Sequence, residues 1–297
     1  MGSARTLGVE SYLEEEKRRI DDALQRALPA PGTSPAVFHD AMRHTLLLPG
    51  KRVRGILTLA ASDLFQRRGD AVLWLACSVE MVHAASLILD DLPSMDNATL
   101  RRGEPVLHRV VGEANAILAA VGLLNAAFAA IHRAPALEDS VRREATLCLA
   151  AAIGAEGLIG GQVQDLASTG KRLDLEALEW IHSHKTGALF IAAAELGSLA
   201  AGGKARDREA LRRYAKNLGL AFQITDDLLD HCGSPEKTGK DAGLDRHRTT
   251  FVNLCGTEGA RRLVDDLIDA SVAVLKPFGR RGAILSALAE FVRLRDR

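Results

Sequence analysis

Two aspartate-rich runs constrain this 297-residue chain more than any other feature: Asp90, Asp91 and Asp96 in the first, Asp226, Asp227 and Asp230 in the second. Both are set in Ala/Leu-rich stretches of helical periodicity. Ionised carboxylates in apolar surroundings cost folding free energy unless cations neutralise them. The runs therefore read as a metal site, and the fold has to carry both to where cations can reach them.

Apolar residues recur at helical spacing over 12–28, 36–47, 51–68, 70–91, 112–131, 137–168, 174–199, 206–231, 258–276 and 281–295. Alternating Val, Ile and Thr runs are nearly absent, leaving little material for a sheet. The expectation is an all-α fold in a single domain spanning 1–297. Ser11 with Glu14 has the form of a capping box ahead of Tyr12 to Leu28, and Pro29 and Pro31 end that segment. Aromatic content of 4% leaves Leu and Ala to fill the core, with Ala/Gly-rich helices approaching closely. A glycine-rich break at 233–245 directly follows the second aspartate run and is read as an active-site lid.

The 38 basic and 38 acidic residues cancel, so nothing global favours nucleic acid or an acidic membrane. Cys77, Cys148, Cys232 and Cys255 lack CxxC spacing and are read as buried free thiols of a reducing compartment, which points to the cytoplasm. No leader is evident, and no segment is expected to reach the length of a clean membrane span. The opening Met-Gly-Ser-Ala-Arg-Thr6 formally matches a myristoylation pattern, but so short a pattern arises readily by chance.

Asp226 and Asp230, four apart, share one helix face, where a divalent cation would relieve their repulsion. A solvated acidic face is the bland alternative; Phe222, Ile224, Leu228 and Leu229 crowding the same segment argue against it. Asp90 and Asp91 fall on the last turn before Pro93, the unfavourable negative end of a helix dipole, and the bend delivers Asp96. Carboxylates without interspersed His or Cys favour magnesium or manganese over zinc, and magnesium implies a polyphosphate ligand. The basic residues suit one: Lys51, Arg52 and Arg54 after Gly50, then Arg101 and Arg102, Lys185, Lys240 and Arg248. Lys185-Thr186 lacks the glycine pattern of a P-loop, and Gly157, Gly160 and Gly161 lack the strand of a dinucleotide fingerprint.

Taken in order, these motifs resemble the trans-isoprenyl diphosphate synthase (polyprenyl synthetase) family: Gly50 to Arg54, Glu80 to His83, Asp90 to Asp96, Arg101 to Gly103, Gly161 to Asp165, Lys185 to Gly187, Phe222 to Asp230 and Gly239 to Asp241. The resemblance implies helices around a deep central cavity, usually in a homodimer. It also implies head-to-tail condensation of an allylic diphosphate (dimethylallyl, geranyl or farnesyl) with isopentenyl diphosphate. By position, Asp90, Asp91, Asp96, Asp226 and Asp230 would hold three Mg2+ ions, or Mn2+, on the allylic diphosphate, which Arg101, Lys185 and Lys240 would also contact. Gly50, Lys51, Arg54, His83 and Arg102 match the isopentenyl diphosphate positions. Thr186 and Gln223 match residues beside the allylic carbon, where with Lys185 and Lys240 they would serve catalysis. Asp165 matches an acidic position near the metals, and Asp227 is read as orienting waters or a partner group.

Departures from the family pattern are Gly55 for a proline, Leu89 for a histidine, Asn97 and Ala98 for acids, Val121 for an aspartate and Arg248 for a lysine. By family analogy, product length is set before the first aspartate run, where Ala85 and Ser86 are small and Val82 and Met81 lie one turn deeper. The expectation is C20 geranylgeranyl diphosphate, with C15 farnesyl diphosphate as the alternative. A terpene cyclase would not need the basic isopentenyl set, and a weakly active regulatory subunit is the remaining rival.

Overall fold

The computed structural model describes residues 2–67, 69–232 and 249–295. In chain order, α1 (Gly2–Ala27), α2 (Ala36–Leu46), α3 (Val53–Asp63) and α4 (Asp70–Asp90) lead into a hairpin of β1 (Leu100–Arg101) and β2 (Glu104–Pro105). Then come α5 (Leu107–Val111), α6 (Glu113–Arg133), α7 (Asp139–Ile153), α8 (Leu158–Ala167) and α9 (Leu175–His182). A π-helical turn, Ser183–Gly187, runs into α10 (Ala188–Ala200). It is followed by α11 (Ala205–Cys232), α12 (Phe251–Val274), a 3-10 stretch at Lys276–Gly282, and α13 (Ala283–Arg293).

The fold is all-α, an isoprenoid-synthase-type helical bundle. Its axis is α4, buried from Val72 to Ile88 and packed against α1, α3, α6 and α10. A helix apolar on every side belongs at the centre of a bundle. Small residues set the spacing: α10 lies so close to α3 that a Cβ on Gly197 would stand 2.0 Å from the Thr58 carbonyl oxygen. Around this centre α11 packs against α10, α12 and α13.

Several expectations need correction. The first helix starts at Gly2, so Ser11 is interior and cannot cap it; no proline or turn separates the two. The single helix expected over 137–168 breaks at Gly154–Gly157, where both glycines leave helical geometry (φ −65°, ψ −165° and φ −135°, ψ −136°). A Cβ on Gly157 would lie 2.3 Å from the Ala152 carbonyl oxygen, which is why the break is built from glycine. The third helix is shorter than 51–68, with left-handed residues beyond both ends, Arg52 (φ 49°) and Gln66 (φ 55°). The twelfth begins at Phe251, before the expected 258, with the Thr250 hydroxyl accepting from the Asn253 amide and a kink at Gly256 (φ 72°).

The membrane-span expectation is also overturned. By length and composition, 70–90, 113–133 and 139–167 are all apolar enough to cross a membrane. The first is mostly buried inside the bundle (72% of its most apolar window), whereas the other two are largely uncovered (39% and 22%). Their exposed apolar residues include Ile117, Leu118, Val121 and Leu147.

Candidate active site

A cavity of about 740 Å³ opens among α3, α4, α8, α11, the π turn and the hairpin, within the size range of small-molecule sites. Both aspartate runs reach it: Asp90 from the end of α4, and Asp226 with Asp230 from one face of α11. Asp91 is buried and accepts a forked pair of bonds from Arg101, Nε at 2.9 Å and Nη2 at 2.6 Å. The Asp96 amide donates to the Asp90 carbonyl oxygen at 2.9 Å, folding the bend onto the helix end, but its side chain is not in the cavity wall.

Burial pushes the Asp90 carboxyl up to about 6, with Asp96 and Asp91 adding to the shift and Lys185 and Arg101 opposing it. Among the described residues no three acidic, His or Cys side chains form a ready-made metal cage. Magnesium does not need one, since it binds through one or two carboxylates while keeping waters and phosphate oxygens. All-oxygen donors on two facing helices, with like charges already strained at Asp90, fit that ion.

The hairpin explains how adjacent arginines serve different partners. Arg102 (φ 55°) and Gly103 (φ 82°) both take left-handed conformations at its tip, as a tight two-residue turn requires. Arg101 consequently reaches Asp91, while Arg102 Nη1 donates to the Pro49 carbonyl oxygen at 3.0 Å beside Gly50. A Cβ on Gly50 would lie 2.6 Å from that same nitrogen. Lys51, Arg54, His83 and Arg102 all line this side of the cavity.

Arg54 lies over the Phe190 ring at 4.7 Å and contacts His83 Nε2 at 3.5 Å. Burial, partly offset by Glu80, lowers its guanidinium to about 10. Burial and then Arg54, Arg102, Arg101 and Arg52 hold His83 well below its usual range, so it is neutral. Partial burial and Arg295 likewise lower Lys51. Arg52, by contrast, is buried in a structural contact with Asp21 at 2.6 Å. Gly55 donates its amide to Glu80 Oε1 at 2.8 Å, a bond that a proline there could not make.

The π turn also presents Lys185 and Thr186 to the cavity, and such turns are frequent at functional sites. Lys185 Nζ pairs with Asp165 at 2.7 Å. The Thr186 hydroxyl donates to Gln223 Oε1 at 3.1 Å, Gln223 Nε2 donates to Asp227 Oδ1 at 3.1 Å, and Asp227 Oδ2 accepts the Phe251 amide at 3.1 Å. Asp227 thus fixes which end of the Gln223 amide faces Thr186.

Ser86 lines the cavity, but Ala85, Val82 and Met81 are packed in the core behind it. Lys240, Arg248 and the expected lid lie outside the described residues. Val121 is exposed on α6, away from the cavity wall. The site also includes a residue missed in the sequence, Arg295, just past the end of α13. It pairs with Asp226 at 3.0 Å and lies 4.3 Å over the Phe222 ring. No local motif surrounds it, so only the fold reveals its position.

Residues 35–261 match the polyprenyl synthetase family. The chain is 42% identical over 290 residues to a chloroplastic geranylgeranyl pyrophosphate synthase of Capsicum annuum, covering 96% of this chain and 78% of that one. It is 41% identical over 294 residues to the farnesyl diphosphate synthase of Geobacillus stearothermophilus, covering 98% and 99%. Among solved structures, an FPP/GFPP synthase from Zymomonas mobilis superimposes with a TM-score of 0.85 at 33% identity, covering 97% of this chain and 99% of that one. A Helicobacter pylori geranyltransferase complexed with magnesium and isoprenyl diphosphate gives 0.84 at 31% identity, covering 98% and 97%.

An all-helical bundle enclosing paired carboxylates and a basic wall belongs to the trans-isoprenyl diphosphate synthases, and this chain is a member of that polyprenyl synthetase family. It is an enzyme, a prenyltransferase carrying the family's magnesium-dependent head-to-tail condensation.

Proposed function

We propose that this chain joins an allylic diphosphate to isopentenyl diphosphate and releases a short-chain trans-prenyl diphosphate, C20 geranylgeranyl diphosphate. The observation that carries the reading is one cavity walled by two sets of cationic groups, Lys185, whose charge acts on Asp90, and Lys51 and Arg54, which feel Asp226, with Arg102 in the same wall. Two sets suit two diphosphates. A cyclase has one to bind.

In this reading Asp90, Asp91, Asp96, Asp226 and Asp230 hold the magnesium ions, which supply charge neutralisation for the leaving diphosphate. Arg101, Lys185 and Lys240 contact the same diphosphate, and Gly50, Lys51, Arg54, His83 and Arg102 bind the isopentenyl one. His83, being neutral, donates or accepts a hydrogen bond there without adding charge. The allylic C1–O bond breaks with its electron pair going to the diphosphate. The Thr186 hydroxyl oxygen and the Gln223 carbonyl face the resulting cation. The isopentenyl double bond then closes onto C1, and the proton lost from C2 leaves on the released diphosphate.

Small Ser86 in the cavity wall favours C20. The C15 alternative is favoured by a different observation: Ala85, Val82 and Met81 are buried outside the cavity, which shortens the room for a tail. Chromatography of products from dimethylallyl, geranyl and farnesyl diphosphates with isopentenyl diphosphate decides between them. Exclusive C15 release refutes the C20 assignment; no magnesium-dependent product from the isolated chain favours a regulatory subunit. The exposed apolar face of α6, with Ile117, Leu118 and Val121, supports a homodimer of single-domain chains.

A further inference from the structure

We infer that the buried carbonyl of Gln162 supplies a further dipole that stabilises the allylic cation, an inference that rests on the proposed condensation. Gln162 sits on α8 in the cavity wall with Asp90, Lys185 and Thr186, and only 8% of it is exposed. Its Nε2 rests on the Met95 sulfur at 3.6 Å. A thioether sulfur only accepts, so the nitrogen end of the amide is the end that faces it. The other end, Oε1, is buried and has no hydrogen-bond partner among the described residues.

A buried carbonyl oxygen without a donor costs folding free energy, and such an orphan calls for an explanation. A diphosphate does not provide one, because an oxygen acceptor repels it and the donor end is engaged by Met95. Lys185 does not provide one either, since its ammonium is taken by Asp165 at 2.7 Å. What this oxygen can stabilise is positive charge arriving in the cavity. The allylic fragment acquires that charge when its C1–O bond breaks and the electron pair leaves on the diphosphate.

A second observation holds Gln162 in register with the reacting centre. Its neighbour Gly161 presses α8 onto the π turn, with the place of a Cβ only 2.2 Å from the Lys185 amide nitrogen. The backbone carrying Gln162 is therefore in direct contact with the backbone carrying Lys185 and Thr186. Gln162 forms no covalent bond in this scheme. Its carbonyl dipole is fixed before ionisation and lowers the energy of the cation without reorganising.

The test compares the wild-type protein with Gln162→Met and Gln162→Leu, using geranyl diphosphate and its 2-fluoro analogue, isopentenyl diphosphate and saturating magnesium. Fluorine slows ionisation, so an enzyme that has lost cation stabilisation becomes more sensitive to it. Expected results are a fall in kcat of about 10- to 100-fold, KM values within about three-fold, and a fluorine penalty at least about three-fold larger than in wild type. The melting temperature should stay level or rise, because the substitution removes an unpaired polar atom.

An unchanged kcat, or a lower kcat without greater fluorine sensitivity, overturns the inference. So does a loss confined to KM, or a variant that needs more magnesium than wild type to saturate, which would place the oxygen on a metal-held water. Wild-type protein that makes no prenyl product sinks the proposed function itself, whereas a productive wild type with insensitive variants sinks only the role of Gln162.

Discussion

Replacing Gly161 by alanine tests how the two walls of the cavity are registered. The added Cβ would lie 2.2 Å from the Lys185 nitrogen, 2.7 Å from its Cα and 2.9 Å from the His184 carbonyl carbon. Carbon contacts are comfortable near 3.5–4.0 Å, so α8 and the π turn have to separate by about 1 Å or more. All three contacts are backbone, and no side-chain rotation relieves them. Overpacking of this kind costs about 1–3 kcal/mol, and at about 2–4 °C per kcal/mol it lowers the melting temperature by several degrees.

The kinetic effect should be larger than the stability effect. The same separation pulls Lys185 from Asp165, now at 2.7 Å, and moves Thr186 relative to the allylic carbon. A displacement of about 1 Å at a reacting centre costs on the order of 100-fold in rate. Calorimetry and steady-state kinetics on Gly161→Ala should therefore show a modest loss of stability and a kcat reduced about 100-fold. Gly69→Ala is the control: its backbone is extended (φ −175°) and nothing lies within 4 Å of the added carbon. A Gly161→Ala protein with kcat within about two-fold of wild type and an unchanged melting temperature would refute the argument that this contact sets the geometry.

Asp227→Asn puts an amide where Asp227 accepts from both Gln223 and the Phe251 amide; kcat should fall about ten-fold or more while circular dichroism stays native. Arg295→Gln removes a cation from the wall beside Lys51 and should raise the KM for isopentenyl diphosphate about ten-fold with little change in kcat, read from substrate-saturation curves. His83 makes a prediction about pH. Its folded pKa lies well below 6.5, so below 6.5 the unfolded chain takes up a proton that the folded chain refuses. Stability is full above that pH and declines as pH falls below it, by an increment from this residue that grows as the pH drops further. Urea titrations at pH 7.5 and 5.5 should show that increment in wild type and its absence in His83→Gln.

The helices and the two carboxylate runs were legible because they rest on local signals: spacing of apolar residues, and charges four apart at Asp226 and Asp230. What was not legible depends on the chain meeting itself. The π turn carrying Lys185 and Thr186 reads as continuous helix in sequence, and the close approach of Gly161 that accompanies it involves a residue 24 positions upstream of Lys185. The same is true of Gly55, a departure from family pattern whose amide finds Glu80 on another helix, and of Arg295, which reaches Asp226 from the far end of the chain. The break at Gly154–Gly157 was hidden by the helical periodicity on either side of it.

Asp91 and Asp226, one from each acidic run, share a property with a thermodynamic consequence: each holds an arginine, Arg101 and Arg295. A divalent cation taking either carboxylate competes with a guanidinium for the same oxygens, and the arginine it displaces is left needing an anion. A diphosphate meets that need. Binding is then an exchange of partners in which cation and diphosphate raise each other's affinity by the same factor. The magnesium concentration that half-saturates this protein should accordingly depend on which diphosphate is present and how much of it there is.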